Sequence, residues 1–276
     1  MYRILLFCMN INLVVAFSAF SLYKITEFLF DFQNFNAGVF VFFGTLFAYN
    51  YMRLSSFTQW SPHNINQNNY SNDKLIYLLL FLSSIAICYA LFNLGFNFLK
   101  LMMPPIIITF LYPLIIKIHG NEYSLRKVPF LKIFLIAFVW GYVTLLAPLL
   151  YHDFNLDYVF FDSFFQRVLL ILAISIPFDI RDYQYDTIKT IPNTLGLSES
   201  KFLAWSCLLM IDFLLIIDLI NNVISFPYFL AIFISIELCS ILIYYTHSNR
   251  SLIFYGVFIE SLPIIMCLFV LAASFF

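Results

Sequence analysis

Residues 179–186 read Asp-Ile-Arg-Asp-Tyr-Gln-Tyr-Asp and stand at the end of a long apolar run. In a helix, Asp179, Asp182 and Asp186 would share one stripe, because their positions follow the spacing i, i+3 and i+7. Three like charges on one stripe repel each other, so a cation has to compensate them. Mg²⁺ typically binds one or two carboxylates together with waters and substrate phosphates. The stretch therefore predicts that these three carboxylates bind Mg²⁺ and a diphosphate at a helix end.

The composition of the chain is that of a membrane protein. The mean hydropathy is +0.92, and 63% of the residues are hydrophobic whereas 11% are charged. No soluble domain of this length has such a composition. The net charge of −1 argues against nucleic acid as a partner. The 36 phenylalanines are explained by lipid-facing bulk or by an aromatic cavity that stabilises a carbocation, and the two explanations are compatible.

The hydrophobic runs predict an all-α polytopic membrane protein with a single domain over residues 1–276. A membrane span needs about 20 mostly apolar residues, and nine runs of about that length follow one another. They cover residues 4–23, 37–54, 74–94, 99–117, 129–150, 160–180, 201–220, 225–245 and 252–275.

The distribution of cations predicts the orientation of these spans. Cytoplasmic loops carry an excess of Lys and Arg. With the N-terminus in the cytoplasm, eleven of the 14 Lys and Arg residues fall at cytoplasmic ends, and only Lys24 and Lys100 fall at outer ones. The longer polar loops after the second, fourth and sixth spans then lie in the cytoplasm, together with Asp179, Asp182 and Asp186. We expect an integral protein of a bacterial inner membrane, in contact with its lipids.

Two motifs resemble those of the UbiA superfamily of intramembrane prenyltransferases. Residues 176–186, Ile-Pro-Phe-Asp-Ile-Arg-Asp-Tyr-Gln-Tyr-Asp, and residues 189–196, Lys-Thr-Ile-Pro-Asn-Thr-Leu-Gly, are similar to the second Asp-rich motif of that superfamily and to the segment that follows it. Tyr112-Pro113 with Lys117 is similar to the segment that ends its fourth helix, with one residue more between Tyr and Lys. The resemblance implies about nine helices in a bundle around a central cavity.

The resemblance also implies roles for individual residues. Asp182, Asp186 and Lys117 would be catalytic, the two carboxylates as Mg²⁺ ligands with the help of Asp179, and Lys117 by neutralising the leaving diphosphate. The residues expected to bind substrate are Asn50, Arg53, Tyr112, Arg181 and Lys189. The partners would be a prenyl diphosphate and a lipophilic or aromatic acceptor. Among acidic residues inside apolar runs, Glu260 is the best candidate for the cavity.

The first Asp-rich motif of the superfamily is altered in this chain. The superfamily has Asn-x-x-x-Asp at the end of the second helix, often followed by another Asp. Here Asn50 is present, but Leu54 and Thr58 occupy the acidic positions. A guanidinium binds a diphosphate through two hydrogen bonds, so Arg53 is one candidate replacement for a metal.

The alternative is a non-catalytic homologue that binds a lipid or a prenyl diphosphate. A transporter is a third possibility, but its site would lie near mid-membrane at broken helices, whereas the charges of this chain gather at one face. The sequence therefore favours a Mg²⁺-dependent transfer of a polyprenyl group to an acceptor.

Overall fold

The chain folds into a bundle of helices. The computed structural model describes residues 2–54, 73–114, 116–118, 121–123, 128, 130–184 and 189–276. The helices are α1 Tyr2–Asn10, α2 Leu13–Leu29, α3 Phe35–Leu54, α4 Asp73–Leu111, α5 Leu131–Gly141, α6 Ala147–Tyr151, α7 Tyr158–Asp182, α8 Ile191–Leu195, α9 Leu197–Ile220, α10 Phe226–Tyr244 and α11 Leu262–Ala273.

Short irregular elements interrupt this bundle. A π-helical turn, Tyr142–Leu146, joins α5 to α6, and a second one, Phe254–Ile259, precedes α11. The segment after α4, expected to be a polar loop, contains a small antiparallel hairpin of β1 Ile116–Ile118 and β2 Asn121–Tyr123. Apart from this hairpin, the regular structure of the described residues is helical.

The contacts between helices close a ring. Along it, α2 packs on α3, α3 on α4, α4 on α6, α5 on α7, α7 on α9, α9 on α10, α10 on α11, and α11 returns to α2. One large apolar cluster fills the side formed by α5, α7, α9, α10 and α11. A smaller one lies between α2, α3 and α4, so the bundle has two packed halves that meet at α2 and α5.

Among the described residues, six helices are long and apolar enough to cross a membrane, and the number rises to seven if α1 and α2 are counted as one bent span. The protein is therefore an integral membrane protein, and the predicted helical bundle is confirmed, whereas nine spans remain a prediction. Within α4, Gly95 has φ 78° and ψ −179°, which separates the two halves that the sequence predicts as two spans. Glycine fits here because L residues rarely adopt such a positive φ.

The first predicted span is broken. Asn12, with φ 58°, precedes α2, and the helix axis bends by 73° between α1 and α2. The amide of the buried Asn50 in α3 stabilises this break, because its Nδ2 donates to the carbonyl of Ile11 at 3.0 Å and its Oδ1 accepts from Asn12 Nδ2 at 3.2 Å. The short helix α1 then packs against the π-helical turn 254–259.

Candidate functional site

The C-terminal end of α7 places two charged side chains of the Asp-rich motif in direct contact. Arg181 Nε and Nη2 donate to the two carboxylate oxygens of Asp182 at 2.8 and 2.9 Å. The guanidinium also lies over the rings of Phe178 and Tyr255, at 5.3 and 5.8 Å from their centroids. Bidentate pairing and cation–π contacts fix the plane of a guanidinium, so Arg181 holds Asp182 in a defined orientation.

Asp179, one turn earlier on α7, has a different partner. Its side chain is 5% exposed, and Lys132 Nζ donates to Oδ1 at 2.8 Å. Lys132 belongs to the first turn of α5, and α5 packs on α7. The ion pair therefore connects two neighbouring helices, and Asp179 is a buried partner of Lys132 rather than an open carboxylate. The sequence places Lys132 among the eleven expected cytoplasmic cations and does not predict this partner.

Of the three carboxylates expected on one stripe, Asp179 and Asp182 lie in α7, one turn apart. Helix α7 ends at Asp182, and Tyr183 is its C-cap. Asp186 lies outside the described residues, so its predicted role is untested. Lys117 is in β1, opposite Glu122, and the position of its side chain is also outside what is described.

One further residue of the predicted site, Lys189, lies near the starts of α5 and α8. Lys189 is exposed, and its carbonyl accepts from the backbone N–H of Phe130 at 3.4 Å. This bond ties the segment before α8 to the start of α5. Because Lys132 is two residues further along the same chain, Lys189 is held close to the Lys132–Asp179 pair.

The structure brings Asn50 and Arg53 to the same end of the bundle as Asp182. Arg53 Nη1 donates to the carbonyl of Asn10, the last residue of α1. Helix α1 contacts the π-helical turn 254–259, whose Tyr255 lies beside Arg181. Asn50 uses both N–H groups and its carbonyl oxygen within the protein. Its substrate-binding role stays a prediction, and the geometry shows it as a support of the α1–α2 break.

Glu260 connects this charged end to the interior. Its carboxylate lies within electrostatic range of Arg181 and of the hydroxyl of Tyr49. Tyr49 in turn accepts a hydrogen bond from Trp140 Nε1 at 3.3 Å. A line of polar groups therefore runs from Asp182 through Arg181 and Glu260 to Tyr49 and Trp140. Glu260 is the acidic residue that the sequence predicts for the cavity, because it lies inside an apolar run.

An apolar cavity of about 520 Å³ begins where this line ends. It lies between α2, α3, α4, α5 and the π-helical turn 142–146. The sequence is compatible both with aromatic residues that face lipid and with an aromatic cavity, and six aromatic side chains line this cavity. They are Phe40, Phe47, Tyr49, Phe110, Tyr112 and Trp140.

Tyr112 is thus the predicted substrate-binding residue that the structure places in the cavity wall. Most of the cavity surface is apolar. Tyr49, Tyr112 and Trp140 are among the lining residues that carry a polar group. Such a combination of a large apolar surface with a few convergent polar groups is typical of ligand sites. An apolar chain with a charged head would fit this arrangement, with its head towards Arg181.

A buried cation that the sequence did not reveal stabilises the cavity wall. Arg167 is 6% exposed and donates to the carbonyl of Leu22 at 2.7 Å, to Thr144 Oγ1 at 3.2 Å and to Thr26 Oγ1 at 3.3 Å. Thr26 donates to the carbonyl of Thr144 at 2.9 Å. These bonds join α2 and α7 to the π-helical turn, so Arg167 has a structural role in positioning α5.

The donor set at the end of α7 fits a divalent cation only in part. A carboxylate offers about four lone-pair directions, and Arg181 occupies two of those on Asp182. Asp182 therefore retains capacity for a Mg²⁺ that takes its other ligands from water and phosphate. Asp179 fits less well because Lys132 already neutralises it. Within the described part of the chain, no three metal-binding side chains form a cluster.

Two comparisons by sequence find no match. No protein-family model matches the chain, and no curated protein matches it. Solved structures do match. An apo UbiA homolog from Aeropyrum pernix K1 is 12% identical and superposes with a TM-score of 0.68, covering 94% of this chain and 97% of its own.

Of two further matching structures, one contains a bound ligand and the other is described by an activity. A UbiA homolog from Archaeoglobus fulgidus bound to GPP and Mg²⁺ is 15% identical, with a TM-score of 0.54 over 98% of this chain and 99% of its own. A digeranylgeranylglyceryl phosphate synthase is 14% identical, with a TM-score of 0.58 over 99% and 98%. At these identities the likeness establishes the fold, and this chain has the fold of the UbiA superfamily, as its Asp-rich motif predicts.

Proposed function

We propose that the protein is an intramembrane prenyltransferase, a transferase of alkyl or aryl groups other than methyl. It would transfer a polyprenyl group from a prenyl diphosphate to a lipophilic or aromatic acceptor in a Mg²⁺-dependent reaction. One observation carries this proposal: Tyr49 and Trp140, which are hydrogen-bonded to each other, line the aromatic cavity, and the Arg181–Asp182 pair lies at the end of the neighbouring helix α7. A ligand that is apolar at one end and anionic at the other matches both parts.

The prenyl chain would occupy the cavity between α3, α4 and α5. Burying the methyl and methylene groups of the prenyl chain against these walls would contribute about 25 cal/mol of favourable free energy for each Å² of apolar surface removed from water. Phe47, Phe110 and Tyr112 would line its path. The volume of about 520 Å³ lies in the range of small-molecule sites, so the cavity accommodates a short prenyl chain without rearrangement.

The diphosphate would lie at the Asp182 end of the bundle. Arg181 offers N–H groups in a planar fork that suits phosphate oxygens, and its contacts with Phe178 and Tyr255 orient it. Arg53, Lys189 and Lys117 would add positive charge around the same anion. Because the leaving diphosphate gains negative charge as the bond to the prenyl carbon breaks, cations fixed at this position stabilise the transition state.

The residues that would hold Mg²⁺ are Asp182 and Asp186, with Asp179 as a supporting charge. The ion would supply a positive charge at the diphosphate oxygens. Asp182 would retain its contact with Arg181 through the lone pairs that the metal does not use. Lys132 would hold Asp179 in place through their ion pair, which limits the negative charge that the diphosphate meets.

The aromatic side chains would protect the allylic cation that diphosphate departure leaves behind. Ring faces attract cations by about 0.5–2 kcal/mol each, and Tyr49 and Trp140 lie where the cavity approaches the charged end. The cavity also excludes water, which would otherwise capture the cation. The acceptor then forms the new bond to the prenyl carbon and loses a proton.

The test is a turnover measurement on the purified full chain. It is incubated with Mg²⁺ and labelled prenyl diphosphates of several lengths, with and without aromatic acceptors, and diphosphate release is followed. We expect release that requires Mg²⁺ and falls in the Asp182→Asn variant. Binding of the prenyl diphosphate without any release, over the whole range of lengths and acceptors, would contradict catalysis.

A non-catalytic homologue that binds a lipid or a prenyl diphosphate is the alternative. One observation favours it. The first motif lacks its acidic residue at Leu54, and the amide of Asn50 is engaged within the protein. Only one of the two usual Asp-rich motifs would then remain to bind metal. The same incubation separates the two functions, because both require donor binding but only the enzyme releases diphosphate.

A further inference from the structure

A second pocket, whose lining includes neither Arg181 nor Asp182, lies at the same end of the bundle. It has a volume of about 810 Å³ and is formed by the start of α9, the end of α10 and the loop 245–251, with Ile180 of α7 on its inner side. Lys201 and Arg250 line it together with His247, Trp205, Tyr244 and Ser198. Among the described residues that line it, none is acidic.

Both cations are fixed on the end of α10. Lys201 Nζ donates to the carbonyl of Tyr244 at 2.9 Å, and Arg250 Nε donates to the carbonyl of Tyr245 at 3.0 Å. These bonds compensate the partial negative charge of a helix C-terminus. Within the described part of the chain, each cation makes this one hydrogen bond, and Arg250 also lies over the ring of Phe254 at 5.7 Å. An ammonium has three donors and a guanidinium has five. The other donors and both positive charges remain for an anion in the pocket.

The loop that carries Arg250 is held in a defined shape. Tyr255, which is fully buried, donates from its hydroxyl to the carbonyl of His247 at 2.7 Å and accepts from the backbone N–H of His247 at 3.2 Å. The backbone N–H of Arg250 donates to the same carbonyl at 2.9 Å. A pocket that is already ordered loses little entropy when it binds a ligand.

The surroundings of the pocket match the interface of a membrane. Trp205 and Tyr244 stack with their ring planes 15° apart and their centroids at 6.3 Å. Trp and Tyr are enriched at the level of lipid headgroups. Phe202 and Ile241, on α9 and α10, are 69% and 54% exposed and offer an apolar surface beside the cationic pocket.

From these observations we infer that the pocket formed by Lys201, Arg250 and the loop 245–251 binds the phosphate group of an anionic phospholipid. The headgroup phosphate would lie between the ammonium and the guanidinium, and an acyl chain would follow the exposed face of α9 and α10. This site does not depend on the proposed catalysis. Its residues do not include Arg181 or Asp182, and Tyr255 stands between the two regions.

The experiment is native mass spectrometry of the purified full chain in neutral detergent, titrated with dioleoylphosphatidylglycerol or with zwitterionic dioleoylphosphatidylcholine. We expect tighter binding of the anionic lipid. Because a cation near a membrane surface contributes measurably to the attraction of anionic lipid, Arg250→Gln should weaken that binding about fivefold, and adding Lys201→Gln should bring the loss to tenfold or more. Lys100→Gln is the matched control, since Lys100 is exposed and contacts Phe96.

Equal affinity of the native chain and of the double variant for phosphatidylglycerol would overturn the inference, as would equal binding of the two lipids by the native chain. If Lys201→Gln fails to fold, Arg250→Gln decides alone, because Arg250 is exposed. Competition by millimolar glycerol 3-phosphate would keep the phosphate site and assign it to a soluble ligand. Affinity for a prenyl diphosphate should be unchanged in Arg250→Gln, so a parallel loss would show that the two sites are one.

Discussion

At the scale of single residues, each of the two carboxylates at the charged end of α7 forms an ion pair with its own cation. Arg181 pairs with Asp182, and Lys132 pairs with Asp179. Both pairs are partly buried, and a carboxylate left without its partner in such a place is costly. The bound diphosphate would therefore enter a region whose charges are already balanced, and it would need further cations of its own.

The first prediction concerns the carboxylate that retains free lone pairs. Asp182→Asn removes a negative charge but keeps the size of the side chain, and it should weaken the binding of a prenyl diphosphate in the presence of Mg²⁺ by about tenfold or more, because hydrogen bonds to charged groups contribute about 1.5–3 kcal/mol. Isothermal titration calorimetry with geranyl diphosphate measures it. Asp186→Asn should behave alike.

The control for this variant is Asp31→Asn. Asp31 is exposed, lies in the turn between α2 and α3 at the opposite end of the bundle, and has φ 49°, a conformation that asparagine tolerates. Its affinity for the ligand should equal that of the native chain. If the variant with both Asp182→Asn and Asp186→Asn bound the diphosphate as well as the native chain does, the Asp-rich motif would have no role in metal binding.

The second prediction concerns Arg53. A diphosphate carries several negative charges, and with Leu54 in place of an acid the first motif does not provide a second metal. Arg53→Ala should therefore weaken donor binding about tenfold, given about 1.5–3 kcal/mol for a charge-assisted hydrogen bond. Arg3→Ala, an exposed position on α1, is the matched control. Unaltered affinity in Arg53→Ala would favour the non-catalytic homologue.

The sequence predicted which residue types gather at this end, but not all of their partners. Asp179, Arg181 and Asp182 are adjacent in the chain, so a motif reveals them. Lys132 is 47 residues away from Asp179, and its partner is decided by the packing of α5 on α7. The sequence assigns no role to Arg167 for the same reason, because the atoms that accept its hydrogen bonds lie on α2 and on the π-helical turn.

At the scale of elements, the sequence predicted most helices but not their irregularities. Hydrophobic runs identified α3, α7, α9 and α10 closely, because a spanning helix requires a long apolar stretch. The break between α1 and α2 was missed, since hydropathy does not register a left-handed residue such as Asn12. Both π-helical turns were missed as well, because their side chains are as apolar as those of the helices beside them.

The third prediction tests the break in α4. Gly95 has φ 78°, and a Cβ built there meets no atom within 4 Å, so the cost of Gly95→Ala is conformational. Such a backbone conformation costs an L residue about 1–3 kcal/mol. We expect Gly95→Ala to unfold at a lower temperature than the native chain in detergent. The measurement is the midpoint of thermal unfolding, followed through the loss of helix content.

The matched control is Gly44→Ala in α3. Its nearest neighbour would be the ring of Phe40 at 3.8 Å, an ordinary contact, and its φ is not positive. Alanine is favoured over glycine inside a helix by about 1 kcal/mol, so this variant should unfold at the same temperature or higher. Equal midpoints for Gly95→Ala and the native chain would mean that the α4 break tolerates an ordinary residue.

At the scale of the whole molecule, the charge distribution predicts one orientation. Helix α7 has 25 residues, a length of about 37 Å at 1.5 Å for each residue, enough to cross a hydrocarbon core of about 30 Å. Its two ends therefore face opposite sides. Arg181 and Asp182 are at one end, and the acidic residues Asp153 and Asp157 precede the other.

The fourth prediction is that the Asp182 end is cytoplasmic. Gln184 and Asn155 are exposed residues beyond the two ends of α7. In a variant whose five native cysteines are replaced by serine, Gln184→Cys should resist an impermeant maleimide added to intact cells, and Asn155→Cys should react. The opposite pattern would reverse the orientation and place the diphosphate site outside the cell.

The large exposed face of α4 has a consequence for every affinity measured on this protein. Only 17% of an apolar 18-residue stretch of α4 is buried inside the molecule, although α4 forms one wall of the cavity. In a bilayer, acyl chains would cover this exposed face, and a mismatch in bilayer thickness costs a fraction of a kcal/mol for each Å. The width of the cavity should thus follow the thickness of the host bilayer, and donor affinity should differ between short-chain and long-chain nanodiscs.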